Sequence, residues 1–559
     1  MNNTDSSRLK PAISVSIVFA ISFLFLFLTM NRNINIYDEG IMLTAAMRVG
    51  AGDIPHRDFY AIYGPAEFYL LSWLFDIFGH KVIAERIFDL SVRSGILTIV
   101  YATLILTGRR LIAITITIVC ALWLFSVGSY AYPIYPVILL SIISTVMMLH
   151  VLVRDTSIVF PFAAGMITGL AALFRYDLGF LLFVAHVSSA ALIMSLSLSD
   201  APLRIRYILQ KLLPYVLAAG FPVGSILLWY YSVGALSSFA HDSFLFPIEF
   251  YSRTRSLPFP SFFKISNVKL GGIYLPIIIC CAVLLSFRAN DFRFKTCFQS
   301  SSTADISRKN YAAFLIIFTL LAAMFYIKGL VRVSLEHMQL ALLPSLLILG
   351  VLLGKTINKA RWFRAVLAGV AIFACATAFA SASDYAKSEF RSNLVLSDVS
   401  GFFRLLSASD ISPVDIEPSG WSIDPKLLSA FFVDQYRDAA IRFIVRNTTS
   451  TDRIFVGLTR HDKIFINDVS SYFETNRLPA TKWHHFDPGL QTSADIQRKM
   501  IGDLEQSKPR YIWLESTWNK VSEPNESANS SGITILDEYI RMKYQPVRKF
   551  GQISVWQRK

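Results

Sequence analysis

Apolar runs of about 20 residues recur along the chain from Pro11 to about Ala382, at roughly 11–30, 87–107, 111–128, 134–153, 158–175, 179–198, 210–231, 271–288, 311–327, 338–354 and 364–382. Each is long enough to cross about 30 Å of hydrocarbon as a helix. The pattern predicts a polytopic α-helical membrane protein with about eleven transmembrane helices. The first run has no small-residue cleavage site and leads into further runs, so it reads as an anchor and not as a removed signal peptide. Gly165-x-x-x-Gly169 in the fifth run predicts close helix packing. After about Ser383 the pattern changes to polar and charged positions broken by Gly, Pro and Asn. Helical spacing (Val433 to Val445, Asp495 to Gln506, Ile533 to Met542) alternates there with strand-like runs at Arg453–Leu458, Tyr511–Leu514 and Gln552–Trp556. This alternation predicts a small α/β domain over 383–559, following a membrane domain over 1–382.

One connection breaks the rule of short polar links. Residues 31–86 form a long first loop. A connection of that length is usually functional or disordered, and this one is too aromatic and apolar for disorder. Within it, Ile41, Met42, Ala45, Ala46 and Val49 have helical spacing, with Asp38 at the N-cap position. A second helix is expected from Pro65 to Phe78, lying in the membrane interface.

The chain has 559 residues, 54% of them hydrophobic and 16% charged, with a mean hydropathy of +0.48. Most of it therefore does not meet water. The net charge of +14 does not point to nucleic acid. It collects in short connections on one side: Arg109-Arg110, Arg154, Arg204/Arg206/Lys211, Arg288/Arg293/Lys295, Arg308/Lys309 and Lys355/Lys359/Arg361/Arg364, as the positive-inside rule requires. With the N-terminus cytoplasmic, the first loop, a second loop from about Ser232 to Leu270, and everything after about Ser383 share the outer face. Of five cysteines, Cys120, Cys280, Cys281 and Cys375 fall in apolar runs and Cys297 in a cytoplasmic connection, so no disulfide framework is implied.

The candidate chemistry lies on the outer face. Asp38-Glu39 could supply a general base a few residues beyond the membrane, while the structural alternative is that Asp38 caps the following helix for about 1 kcal/mol. Arg175 and Asp177 end the fifth run, where they could satisfy each other. Lys328, Arg332 and His337 form a cationic group suited to phosphate, although Arg332 and Glu336 are four apart and could form an ordinary helix pair. The second loop carries His241, Asp242, Glu249, Arg253 and Arg255. His461, His484 and His485 lack a third ligand at metal spacing and are expected at the surface. Gly350 to Thr356 falls one residue short of a P-loop and follows an apolar run instead of a strand.

Taken in order, Tyr37-Asp38-Glu39-Gly40, Gly52-Asp53-Ile54-Pro55-His56-Arg57-Asp58-Phe59, Tyr63-Gly64-Pro65, Phe78-Gly79 and Glu85-Arg86 resemble the GT-C glycosyltransferases, in particular bacterial relatives of protein O-mannosyltransferases and the lipid A aminoarabinose transferase. Arg332-x-x-x-Glu336-His337 resembles that family's Arg-Ser-Asp-x-x-His signature, with Glu in the acidic role. Tyr472-Phe473, Arg477-x-Pro479-Ala480-Thr481 and Asp487-Pro488-Gly489 are similar to outer domains of some members. The resemblance implies two interface-lying helices in the first loop and a polyprenyl-phosphate sugar as donor. It also implies transfer to a lipid, glycan or protein acceptor at the periplasmic face of the inner membrane. Asp38 would be the base and Glu39 would orient it or contact the donor. Lys328, Arg332 and His337, with Arg86 or Arg175, would hold the departing phosphate. The chain departs from the family at Ser129-Tyr-Ala-Tyr-Pro, which has no acid; this shifts a second acid to Asp58 or Asp177, with His56 a further candidate. Metal use stays open, a divalent ion being one candidate cofactor. The alternative classes are a polysaccharide polymerase or ligase, a lipid-linked sugar flippase, and a non-catalytic receptor.

Overall fold

The computed structural model describes residues 4–559 except 108, 155–156, 198–200, 252–253, 262–267, 290–297, 299–302, 356–359, 390–392, 408–430, 432–433, 488 and 523. Arg253, Arg293, Lys295, Cys297, Thr356, Lys359 and Pro488 lie outside the described residues.

Every expected apolar run is a helix. Along the chain these are α1 (Thr4–Leu28), the first-loop helices α2 (Asp38–Gly50) and α3 (Pro65–Phe78), then α4 (Val82–Ile105), α5 (Arg110–Phe125), α6 (Ile134–Val153), α7 (Val159–Phe174) and α8 (Tyr176–Ser197). They continue with α9 (Pro202–Ser232), α10 (Leu275–Ala289), α11 (Thr303–Gly329), α12 (Leu335–Lys355) and α13 (Arg361–Glu389). Among the described residues, seven helices are long and apolar enough to cross a membrane: α4, α6, α8, α9, α11, α12 and α13. The apolar parts of α1, α5, α7 and α10 are shorter. Close packing follows the small residues. A Cβ at Gly165 would lie 2.2 Å from the Tyr215 carbonyl oxygen, and one at Gly169 2.5 Å from that of Ala219. The Gly-x-x-x-Gly spacing thus lets α7 and α9 meet backbone to backbone.

The polar tail builds a mixed sheet in the order β2-β1-β3-β5-β4. Its strands are β1 (Arg453–Leu458), β2 (Leu478–Pro479), β3 (Tyr511–Glu515), β4 (Tyr544–Phe550) and β5 (Ile553–Arg558). The first three are parallel, and β5 and β4 join antiparallel. Helices α14 (Gln435–Asn447), α15 (Ser470–Thr475), α16 (Ala494–Ser507) and α17 (Ile535–Lys543) complete it. His461, His484 and His485, expected at the surface, are instead fully buried. His461 is held by Asp537 at 2.7 Å, and the other two pack in a ring cluster with Phe59, Tyr60 and Tyr37.

This module shares its core with the first loop. Ile41, Met42, Ala45 and Phe68 belong to the same apolar cluster as Ile444, Val456, Trp513 and Val555. Thr44 Oγ1 donates to the Val469 carbonyl at 2.9 Å, and a Cβ on Gly40 would lie 2.4 Å from the Ser470 nitrogen. Helix α2 is therefore buried by protein along its length, where an interface-lying helix was expected. Besides α3, its partners lie in the tail, more than 390 positions downstream and beyond the reach of local periodicity. Helix α3 does carry an exposed apolar edge, at Trp73, Ile77 and Phe78.

Candidate active site

Asp38 does not cap its helix. The Asn35 side chain accepts from the backbone N–H groups of Tyr37 and Asp38, at 3.1 and 2.9 Å, so the orphan donors at the start of α2 are met from upstream. The next residue locks the turn in place. Both Glu39 oxygens accept from Arg86, at 2.7 and 2.8 Å, and one also takes the Asn35 N–H at 2.8 Å. The remaining Arg86 donors go to the carbonyls of Asn31 and Asn33. Both side chains are fully buried.

Asp38 is left half-buried, and a cavity of about 180 Å³, which it does not itself line, lies among residues that its charge reaches. The charged groups lining this cavity are Arg175, Asp177, Lys328, Arg332, His337 and Asp487, with Tyr60, Tyr63, Tyr132 and Tyr251 between them. Asp177 is shared by Arg175, at 2.9 Å, and Lys328, at 3.1 Å. The Arg175 guanidinium lies 5.3 Å from the centre of the Tyr63 ring. That loop is pressed against the end of α7, where Gly64 N–H donates to the Phe174 carbonyl at 3.0 Å. A Cβ at position 64 would lie 2.0 Å from the Leu173 oxygen. Arg332 donates to the Arg255 carbonyl at 2.8 Å, tying the second loop in. His337 pairs through Nδ1 with Ser334 Oγ at 2.8 Å.

The electrostatics bind Asp38 to this group. Burial pushes its carboxyl up to about 6, reinforced by the charges of Glu336 and Asp487 and opposed by those of Arg255 and Arg332. Burial likewise raises Asp487 to about 6, opposed by Arg255, a hydrogen bond from Tyr37 and Arg332. In turn Asp38 raises Tyr63, Tyr132 and Tyr251, groups already raised by burial.

Of the expected residues, the structure gathers Arg175, Asp177, Lys328, Arg332 and His337 around one cavity; Asp38 does not line it and is tied to it by the charges of Arg332 and Asp487. It does not bring Arg86, Glu39, His56 or Asp58 there. Arg86 is saturated by Glu39 and backbone carbonyls, which removes it from phosphate binding, and Glu39 is closed off by the same pair. His56 is buried against Asp242 at 3.1 Å, between the rings of Tyr230 and Phe239. Asp58 pairs with Arg57 and accepts from the Ile54 N–H, on a separate polar cleft of about 710 Å³. Asp487 and Arg255 join the site without having been assigned to it. Their signal was the recurrence of acids and arginines among aromatic residues in outer segments. Among the described residues, no three His, Cys, Asp or Glu side chains group as a metal site would require.

The order of elements, the cavity at one end of the bundle and the C-terminal α/β module can be compared with known proteins. No family model and no curated protein matches the chain. The crystal structure of ArnT from Cupriavidus metallidurans bound to undecaprenyl phosphate aligns over 99% of this chain and 98% of that one, with a TM-score of 0.52 at 13% identity. This chain has the ArnT fold. The apo-state crystal structure of ArnT aligns over the same shares, at 14% identity and a TM-score of 0.49. ArnT is the lipid A aminoarabinose transferase, a GT-C glycosyltransferase, so the fold expected from the first loop's motif order is the fold observed.

Proposed function

We propose that the chain is an inverting glycosyltransferase that moves a sugar from a polyprenyl-phosphate donor to an acceptor hydroxyl at the periplasmic face of the inner membrane. The observation that carries this reading is the grouping of Arg175, Lys328 and Arg332 at one cavity, with the Asp38 carboxyl in electrostatic range of Arg332, in a fold seen in a structure bound to undecaprenyl phosphate. Asp177 is shared by Arg175 and Lys328, so these two cations keep a surplus of positive charge over that acid, which suits a phosphate.

The roles follow from charge. The acceptor oxygen attacks the anomeric carbon and its proton passes to Asp38. The bond from that carbon to the phosphate oxygen breaks, and the electron pair leaves with the polyprenyl phosphate. A carboxyl raised to about 6 is mostly ionised at pH 7 yet more basic than an ordinary aspartate, as a general base requires. Lys328, Arg332 and Arg175 stabilise the anion that develops, and His337, fixed by Ser334, borders the same space. Glu39 acts through the backbone: its pair with Arg86 holds the first turn of α2 and thereby aims Asp38. No step is routed through a metal. The basic connections at Arg109-Arg110, Arg154 and Lys355 lie at the helix ends opposite the cavity, which supports the outward orientation of the site.

The test is transfer by the purified full chain in detergent, supplied with polyprenyl-phosphate sugars and a cell-envelope extract as acceptor. Release of polyprenyl phosphate with a newly glycosylated acceptor is expected. Activity only with lipid-pyrophosphate oligosaccharides would move the chain to the polymerase or ligase class.

A further inference from the structure

Helices α6, α11 and α12 each lend one end to the proposed active site, through Ile134, Lys328 and His337. Their opposite ends, together with the end of α4, frame a groove of about 560 Å³. Its walls are mostly apolar and include Ile99, Leu106, Leu149, Phe314 and Val351. Arg154, just past α6, and Lys355, the last residue of α12, line it as well and are exposed. Among the described residues, no acidic side chain lines the groove and neither cation forms an ion pair.

The glycines of the stretch that falls short of a P-loop set this arrangement. A Cβ at Gly350 would lie 2.7 Å from Leu104 Cδ2, and one at Gly354 3.1 Å from Thr107 Oγ1. Gly350-x-x-x-Gly354 thus presses the end of α12 onto the end of α4, and Lys355 follows directly into the lining of the groove. Asn310 of α11 lines it too, and its Oδ1 is buried without a hydrogen-bond partner among the described residues. An acceptor buried in this way is unfavourable until a donor reaches it.

The positive-inside rule accounts for cations at this end of the bundle. It does not account for an apolar groove between four helices that carries two of them and an unmet acceptor. Basic pockets of that kind between membrane helices suit a lipid headgroup. We propose that this groove binds one anionic phospholipid of the cytoplasmic leaflet, with its phosphate at Arg154 and Lys355, an acyl chain along the apolar walls and a hydroxyl-bearing headgroup. The inference needs only the membrane reading of the helices and stands apart from the glycosyltransferase reading.

The experiment measures binding of dioleoyl phosphatidylglycerol, which has both the charge and the hydroxyls, and of dioleoyl phosphatidylcholine to the full-length protein in detergent. Native mass spectrometry gives the affinities, thermal melting checks folding, and soluble glycerol phosphate shows whether a phosphate without acyl chains suffices. Wild type is compared with Arg154→Gln/Lys355→Gln and with Arg109→Gln/Arg110→Gln. The second pair removes two exposed cations at the same end that do not line the groove. The wild type is expected to hold one phosphatidylglycerol roughly tenfold more tightly than phosphatidylcholine, and to bind glycerol phosphate far more weakly than either. Arg154→Gln/Lys355→Gln should lose the preference, and Arg109→Gln/Arg110→Gln should keep it. A wild type without a preference, a preference that survives Arg154→Gln/Lys355→Gln, or an equal loss in both double variants overturns the inference. Glycerol phosphate bound as tightly as phosphatidylglycerol overturns it as well. If the Arg154/Lys355 double variant fails to fold, Arg154→Gln and Lys355→Gln singly give the same comparison.

Discussion

The decisive residue is an aspartate relieved of a structural task. Capping would have spent the Asp38 carboxylate on backbone N–H groups; Asn35 takes that role, and Asp38 is left half-buried in range of the Arg332 and Asp487 charges. Two outcomes follow. Transfer measured in single turnover should be flat near pH 7 and fall as pH drops below about 6, because only the ionised carboxylate accepts the proton. Stability should respond oppositely. A carboxyl raised in the folded state above its usual 3.8 opposes folding at every pH above that value. Asp38→Asn should therefore abolish transfer while melting at or above the wild-type temperature at pH 7. A variant that melts well below wild type would mark Asp38 as structural. Asp38, Lys328, Arg332 and Asp177 could be found in the sequence because ionisable residues at membrane ends stand out against apolar surroundings. The fates of Glu39 and Arg86 could not, since nothing local shows that a glutamate's partner stands 47 residues ahead.

At the scale of elements, close backbone approaches place the turn proposed to be catalytic and the cations proposed to hold the phosphate. Gly64 brings the first loop onto the end of α7, where Arg175 emerges. Gly64→Val should cost about 1–3 kcal/mol through overpacking; undecaprenyl phosphate binding should weaken with it as the Tyr63–Arg175 contact shifts. Melting curves and lipid binding on the same preparation check both. Arg86→Ala should cost about 3–5 kcal/mol, because it strands the buried Glu39 charge. Arg86→Ala with unchanged melting and lost lipid binding would restore Arg86 as a phosphate ligand. Element boundaries were legible because hydrophobic runs and Pro or Gly punctuation are local signals: Pro65 does start α3 and Gly79 does end it. The environment of α2 was not legible, because an apolar face shows that a helix is buried and not what buries it.

For the whole molecule, the membrane portion and the tail are one construction. The apolar cluster joining Ile41, Met42 and Phe68 to Ile444, Val456 and Trp513 would open to solvent if the chain were cut after the last apolar helix. Residues 1–389 alone, ending with α13, should therefore aggregate on extraction, whereas the full chain remains monodisperse; size-exclusion profiles decide it, and a well-behaved, lipid-binding 1–389 fragment would show the tail to be separable. A change of composition near 383 is visible in the sequence, although α13 runs through it to Glu389, while the shared core was hidden in contacts across most of the chain. The central claim is that Asp38 and the cations of two distant turns serve one bound phosphate. It is tested most directly by a cryo-EM structure of this protein with undecaprenyl phosphate. The account predicts density for the phosphate against Lys328 and Arg332, with Arg175 beside it and the Asp38 carboxylate facing the same space. Phosphate density elsewhere, with that cavity filled only by solvent, would contradict it.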